Sequence, residues 1–168
     1  MKQNASKRFD RLPETVEERV VEGRPSRRQV LDFWEDNYAI PPETFEEFTF
    51  WERGAGKLWA FHADLPSPVD AEGLGIACLR ARQEHWKPTT EAVQRFGKHA
   101  TKNVIHLSGE EAERFVDGED QELAWDGDWG YLIVAHDLAG GPEPIGVGLY
   151  LHGELRSQIP KGRQRDLS

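Results

Sequence analysis

The chain has one cysteine and one methionine in 168 residues. A lone Cys78 cannot close an internal disulfide, and its apolar setting (Ile76-Ala77-Cys78-Leu79) suits a buried structural thiol in a reducing compartment better than a nucleophile. No stretch approaches the roughly 18 apolar residues of a membrane span. The charged start, Met1-Lys2-Gln3-Asn4-Ala5-Ser6-Lys7-Arg8, is not followed by the apolar run of a secretory signal, so a soluble, cytoplasmic protein is expected. The length leaves room for one domain or two small ones closely packed, and none for a catalytic α/β domain of ordinary size beside them.

Positive charge is also scarce. Lys and Arg total 21 against 30 Asp and Glu, a net charge of −9, which ordinarily argues against a phosphate-rich partner. Arg outnumbers Lys two to one, and the acids far outnumber Lys. This balance is typical of cytosolic proteins of salt-loving archaea, where an acidic surface is a means of solvation and carries little information about partners.

Residues 1–25 are polar and charged, with Val20-Val21 as their only apolar pair, and read as a flexible N-terminal tail. Ser26-x-x-Gln29 is a capping box, and Val30, Leu31, Phe33 and Trp34 at helical spacing extend a helix to about Asn37. Pro41-Pro42 ends it. Phe48–Trp51 and Leu58–Phe61, joined by a Gly-bearing turn, read as a hairpin, and Leu74–Ala81 as a further strand. A helix follows Pro88-Thr89, with Val93, Phe96 and Ala100 on one face and Arg95, Lys98, His99 and Lys102 largely on the other. Asn103–Leu107 is a strand. Ser108-x-x-Glu111 is a second capping box, opening a helix that Gly118 closes, and Tyr131–Ala135 has the continuous apolar character of a central strand.

The chemistry-bearing residues form no recognisable catalytic pattern. None of the six histidines makes HxxxH or HExxH, and His62, His106 and His136 lie in or beside strands, which suits hydrogen-bonded structural roles. Ser108, His136 and Asp137 could be drawn together as a triad, but no GxSxG elbow accompanies them. Gly54-x-Gly56-Lys57 lacks the spacing of a phosphate-binding loop and joins two strands. No catalytic residues, metal site or cofactor are expected.

Six tryptophans raise the question of base stacking. Trp34, Trp51 and Trp59 fall among apolar residues of regular elements and read as core. Trp86 differs, flanked by His85 and Lys87 with Arg82 nearby. From Arg80 to Lys102 six Lys or Arg meet only Glu84 and Glu91, whereas from Glu110 to Asp128 nine acids meet only Arg114. The acidic stretch is expected to lie on the side opposite any RNA-binding surface.

The most organised stretch is Pro144–Arg163, two β-prone runs flanking His152-Gly153 and ending in Pro160-Lys161-Gly162-Arg163. Gly146 and Gly148 in its first run mark a bulge or a close approach. Together with Gly75-Ile76, Trp86-Lys87-Pro88-Thr89, Val104–Ser108, Phe115-Val116-Asp117-Gly118-Glu119 and Gly130–Val134, in that order, this ending resembles the C-terminal PUA-like region of Sun-family rRNA cytosine-5 methyltransferases. Small ribosome-biogenesis factors built of a pre-PUA and a PUA domain are also similar. The resemblance covers about the last ninety residues. It departs from the family pattern at Arg156-Ser157-Gln158-Ile159, which keeps a charge and loses an aromatic.

The resemblance implies an α/β protein, with a pre-PUA-like α/β domain at 26–107 packed on a PUA-like small β-barrel at 108–165. It implies a non-catalytic RNA-binding protein acting on rRNA or tRNA in RNA modification or ribosome biogenesis, a monomer beside a separate RNA-modifying enzyme or pre-ribosomal particle. The residues expected to meet RNA are Arg82, His85, Trp86 and Lys87 from one segment and Arg156, Lys161, Arg163 and Arg165 from the other, joined in one basic patch. An acidic adaptor that has kept the fold without binding RNA, and a small hydrolase of the PUA-like superfamily, are the alternatives. If the acidity is an adaptation to salt, the melting temperature rises as KCl is taken into the molar range, where the Debye length falls to about 3 Å. A flat or falling trend in a thermal melt counts against that origin.

Overall fold

The computed structural model describes residues 8–82, 84–138 and 141–160. It is a mixed α/β architecture of two sheets. The strands are β1 (Arg8–Arg11), β2 (Thr49–Glu52), β3 (Lys57–Phe61), β4 (Val69–Asp70), β5 (Ile76–Arg80), β6 (Lys87–Pro88), β7 (Val104–Leu107), β8 (Gln121–Glu122), β9 (Gly130–Leu138), β10 (Gly141–Leu151) and β11 (Glu154–Ser157). The helices are α1 (Arg27–Tyr38), α2 (Thr90–Phe96) and α3 (Gly109–Val116). The first sheet runs β4-β1-β2-β3-β5-β6 and the second, a half-barrel, β7-β9-β10-β11-β8. Every pairing is antiparallel except β7 with β9.

Both capping boxes form, at Ser26/Gln29 and Ser108/Glu111, with side chain and backbone bonded reciprocally. Helix α1 buries Val30, Trp34 and Tyr38, one residue per turn, and stops at Ala39 in the left-handed region (φ 57°) before the two prolines. Helix α3 ends in a Schellman motif: the Glu119 N–H donates to the Arg114 carbonyl (2.9 Å) and the Gly118 N–H to that of Phe115 (3.0 Å). The β10–β11 turn has His152 at φ 54° and Gly153 at φ 79°, the pair of positive angles that lets a two-residue hairpin follow the strand twist. The register slips by one residue between Pro144 and Gly146. A Cβ on Gly148 would stand 2.6 Å from the Leu155 side chain, so this glycine admits the neighbouring strand's packing.

Two of the expected boundaries are corrected. Residues 8–12 are not a tail: β1 pairs with β2 and β4, and Phe9 and Leu12 are buried. Arg24 donates to Glu52 (2.7 Å) and Asp10 (3.5 Å), fastening the following loop to the same sheet. The apolar pair Val20-Val21 is exposed instead. An alternation of only four residues around one aromatic is too short to be read as a strand before its partners are known. The remainder of the expected tail, residues 1–7, lies outside the described residues. The break placed at 107/108 is also displaced, because β7 belongs to the second sheet.

The two halves do not own separate cores. One cluster unites Trp34, Phe45, Leu79, Val93 and Phe96 of the first half with Ile133 of β9 and Val147 of β10. A smaller cluster under α3 holds Phe115, Leu132, Val134, Leu155 and Ile159. Polar bonds reinforce the junction. The buried Tyr38 hydroxyl donates to the Tyr131 carbonyl (2.9 Å), and the last carbonyls of α1 accept from Lys102 Nζ, the Asn103 amide and the Thr101 N–H. Tyr38→Phe keeps the ring and removes the hydroxyl that donates to the Tyr131 carbonyl, so it should lower stability by about 1 kcal/mol in urea unfolding, within a single transition shared by both halves.

Candidate nucleic-acid interface

Strand register assembles a row of cations that the linear order hides. Lys57 of β3 stands opposite Arg80 of β5, and Arg80 opposite Lys87 of β6, so three positive side chains share one face of neighbouring strands. Lys87 then crosses to the other half: its Nζ donates to Gln158 Oε1 (2.7 Å) and lies 5.8 Å from the centre of the Tyr131 ring. Burial pushes the Lys87 ammonium below its ordinary pKa, with the charge of Arg80 adding to the effect. That penalty on the folded state is present while the group is protonated in the fold, and fades as pH rises from its lowered value toward that of an unfolded lysine.

The expected site residues are thus only partly brought together. Lys87 is joined through Gln158 to the segment that carries Arg156. Arg156 itself donates to Glu154 (2.9 Å), and β11 pairs with β8, setting Glu154 opposite Glu122. The acidic stretch therefore borders Arg156 and is not confined to an opposite side, because β8 returns to close the second sheet. Arg82 turns to a different cleft of about 690 Å³, lined also by Arg8, Asp10, Arg24 and Glu52. Lys161, Arg163 and Arg165 lie outside the described residues.

His85 and Trp86 line a second cleft, of about 750 Å³, where the two halves meet. Phe33 of α1 and Trp86 contribute one aromatic wall, their ring centres 5.7 Å apart, and Trp129 and Tyr131 come from the start of β9. Trp129 is 59% exposed, unlike the fully buried Trp34 and Trp51, and its ring meets that of His85 nearly at right angles, centres 5.2 Å apart. The Trp125 indole donates to the Asp128 carbonyl (3.1 Å), which closes the turn before Trp129. Glu84 and Asp128 are acidic residues of the same lining.

The sequence reading missed Lys57, Arg80 and Trp129 as neighbours of the site. Arg80 opened the cationic run noted in the sequence, and Trp129 was a large aromatic between Asp128 and Gly130 in an otherwise polar turn. The cations required the register.

The conceivable triad does not form. Ser108 Oγ caps α3, His136 Nδ1 lies 3.0 Å from the Leu107 carbonyl, and Asp137 faces His106 at 3.3 Å. Among the described residues no three His, Cys, Asp or Glu side chains cluster as metal ligands. Gly54 and Gly56 sit at positive φ in the β2–β3 turn. They bind no helix start, as expected for a hairpin.

Residues 102–165 match the family described as the methyltransferase RsmF PUA domain. This matched stretch, which begins ahead of β7, supports a PUA-like domain similar to that of Sun-family methyltransferases. Such a domain, coming from an RNA methyltransferase, points to a role in binding RNA. Residues 1–75 match a family of unknown function, DUF7122. No curated protein matches the chain.

Cys78 is fully buried, and burial pushes its thiol up to about 12. At about pH 8 it should resist an aromatic disulfide reagent in the folded protein and react once urea unfolds the chain; rapid reaction of the native protein would show an accessible thiolate instead.

Proposed function

We propose that the protein is a non-catalytic RNA-binding protein of the cytoplasm, acting on rRNA or tRNA in RNA modification or ribosome assembly, alongside a separate enzyme or pre-ribosomal particle. The observation that carries this reading is the match of residues 102–165 to a PUA domain of an RNA methyltransferase. The row Lys57, Arg80 and Lys87 supports it, because backbone phosphates need local positive charge even on a protein whose net charge is −9. The row points toward Gln158, two residues before Pro160, after which the sequence continues with Lys161 and Arg163. The phosphate track is accordingly assigned to the β3–β5–β6 edge and that terminal segment.

The test is a gel shift with total RNA over a series of KCl concentrations. Arg80→Ala with Lys87→Ala should weaken binding and flatten the slope of log affinity against log salt by about 1.4 to 1.8, at 0.7 to 0.9 per lost phosphate contact. Lys161→Glu with Arg163→Glu should do the same without altering the thermal melt. Affinity and slope unchanged in both double variants would remove this surface from the reading, and failure of the native protein to shift any RNA would remove the reading itself.

A further inference from the structure

We infer that the aromatic cleft between the two halves is a pocket for one unpaired nucleobase, with a preference for guanine. The inference rests on the RNA-binding reading and adds to it a second, uncharged mode of recognition beside the phosphate track. Three observations meet there.

The first is the lining. Phe33, Trp86, Trp129 and Tyr131 all face a cavity of about 750 Å³, within the roughly 300–1,000 Å³ usual for small-ligand sites. Trp129 stays more than half exposed in a protein that buries Trp34 and Trp51 completely. An indole held at a fixed position and left uncovered offers a π-face on which a base can stack. The closed turn behind it and the perpendicular ring of His85 hold it there, and it remains 59% exposed.

The second is charge. Glu84 and Asp128 belong to the same lining, and carboxylates accept hydrogen bonds while repelling phosphate. The cleft is therefore unsuited to the backbone of a nucleic acid and suited to a base edge that donates. Guanine presents two adjacent donors, N1–H and the 2-amino group, to a single carboxylate. Adenine and cytosine present an amino group alone, and uracil one imide N–H, so the lining ranks the bases with guanine first. A base reached in this way must be unpaired, since pairing occupies that edge.

The third is the position of the nearest cation. Lys87 follows Trp86 directly, and its Nζ stands 5.8 Å from the centre of the Tyr131 ring, at the border of the cleft. It is also the last member of the row Lys57, Arg80 and Lys87. A strand whose phosphates follow the row reaches the cleft at Lys87, with the base directed inward past Trp86. Burial already holds the ammonium of Lys87 below its ordinary pKa, and an approaching phosphate would favour its charged form.

The experiment uses the full-length protein and two short single-stranded RNAs, one of uridines alone and one with a single central guanosine. Binding is followed by fluorescence anisotropy and by quenching of indole emission. The guanosine oligomer should bind more tightly and quench. Trp129→Ala should lower its affinity roughly 5- to 140-fold, the worth of one base stack, and Trp129→Phe should restore part of it. Trp129 is exposed enough for both variants to fold, which their thermal melts check. Glu84→Gln with Asp128→Asn should abolish the preference for guanosine; if it strengthens binding of both oligomers equally, the acids only repel phosphate and the base assignment fails. Oligomer binding that Trp129→Ala leaves unchanged overturns the pocket while leaving the RNA-binding reading in place. No binding of either oligomer or of total RNA overturns both. Aromatic rings beside carboxylates also suit a quaternary ammonium. Quenching by a trimethyllysine peptide, with none by either RNA, overturns the inference in favour of a protein partner.

Discussion

Ile133 and Val147 lie in the middle of the second sheet, yet their side chains complete a core built mainly by α1, α2 and the first sheet. Burying an aliphatic side chain is worth about 1.5–3 kcal/mol, so neither half can be separated from the other without exposing surface that the fold depends on. The polar bonds at the same seam have a different part. Tyr38 to Tyr131, and the capping of α1 by residues 101–103, satisfy backbone groups that burial would otherwise leave unpaired. Apolar burial supplies the attraction, and these bonds fix the angle at which the halves meet. The aromatic cleft is a product of that angle, since its walls come from α1 and the segment before β6 on one side and from β9 and β10 on the other.

Charge is distributed by strand pairing more than by position in the chain. Lys57, Arg80 and Lys87 are neighbours only because β3, β5 and β6 are adjacent. Like charges placed side by side on a sheet disfavour folding slightly, and the lowered pKa of Lys87, due first to burial, includes a smaller part from Arg80. Elsewhere Arg residues are consumed in structure. Arg24 pairs with Glu52 and Asp10, Arg27 donates to the carbonyls of Phe45 and Phe48, and Arg95 lies over the rings of Phe48 and Phe96. Counting positive residues along a segment therefore overstates what is offered to a partner. The row on β3, β5 and β6 stands out because its members sit together on one face.

The N-terminal segment carries a similar lesson. Phe9 packs edge-on against Trp59 (5.3 Å) beneath Arg53, and Trp51 lies under Arg11, so the outer face of the first sheet is covered by aromatic rings and guanidinium groups in place of a helix. Such a layer has the composition of a polar loop, which is how residues 1–25 read in isolation. Burial of Phe9 turns part of that stretch into an integral strand.

Local chemistry determined what could be read from the residues alone. Both capping boxes, the Pro41-Pro42 stop, the glycine ending of α3 and the His152-Gly153 turn depend on contacts within a few residues, and each formed as its residues dictate. The motifs of the C-terminal half likewise lie close together in the chain, and the PUA-like character of residues 102–165 was legible in them. Tertiary structure alone decided the rest: that β1 joins the first sheet, that β8 carries acidic residues back beside Arg156, that Arg82 and His85 turn into different clefts, and that Trp129 meets the wall of Trp86. Each of these is a pairing between segments distant in sequence. Register and the packing of one sheet on another set such pairings, and a one-residue slip would redirect every side chain involved.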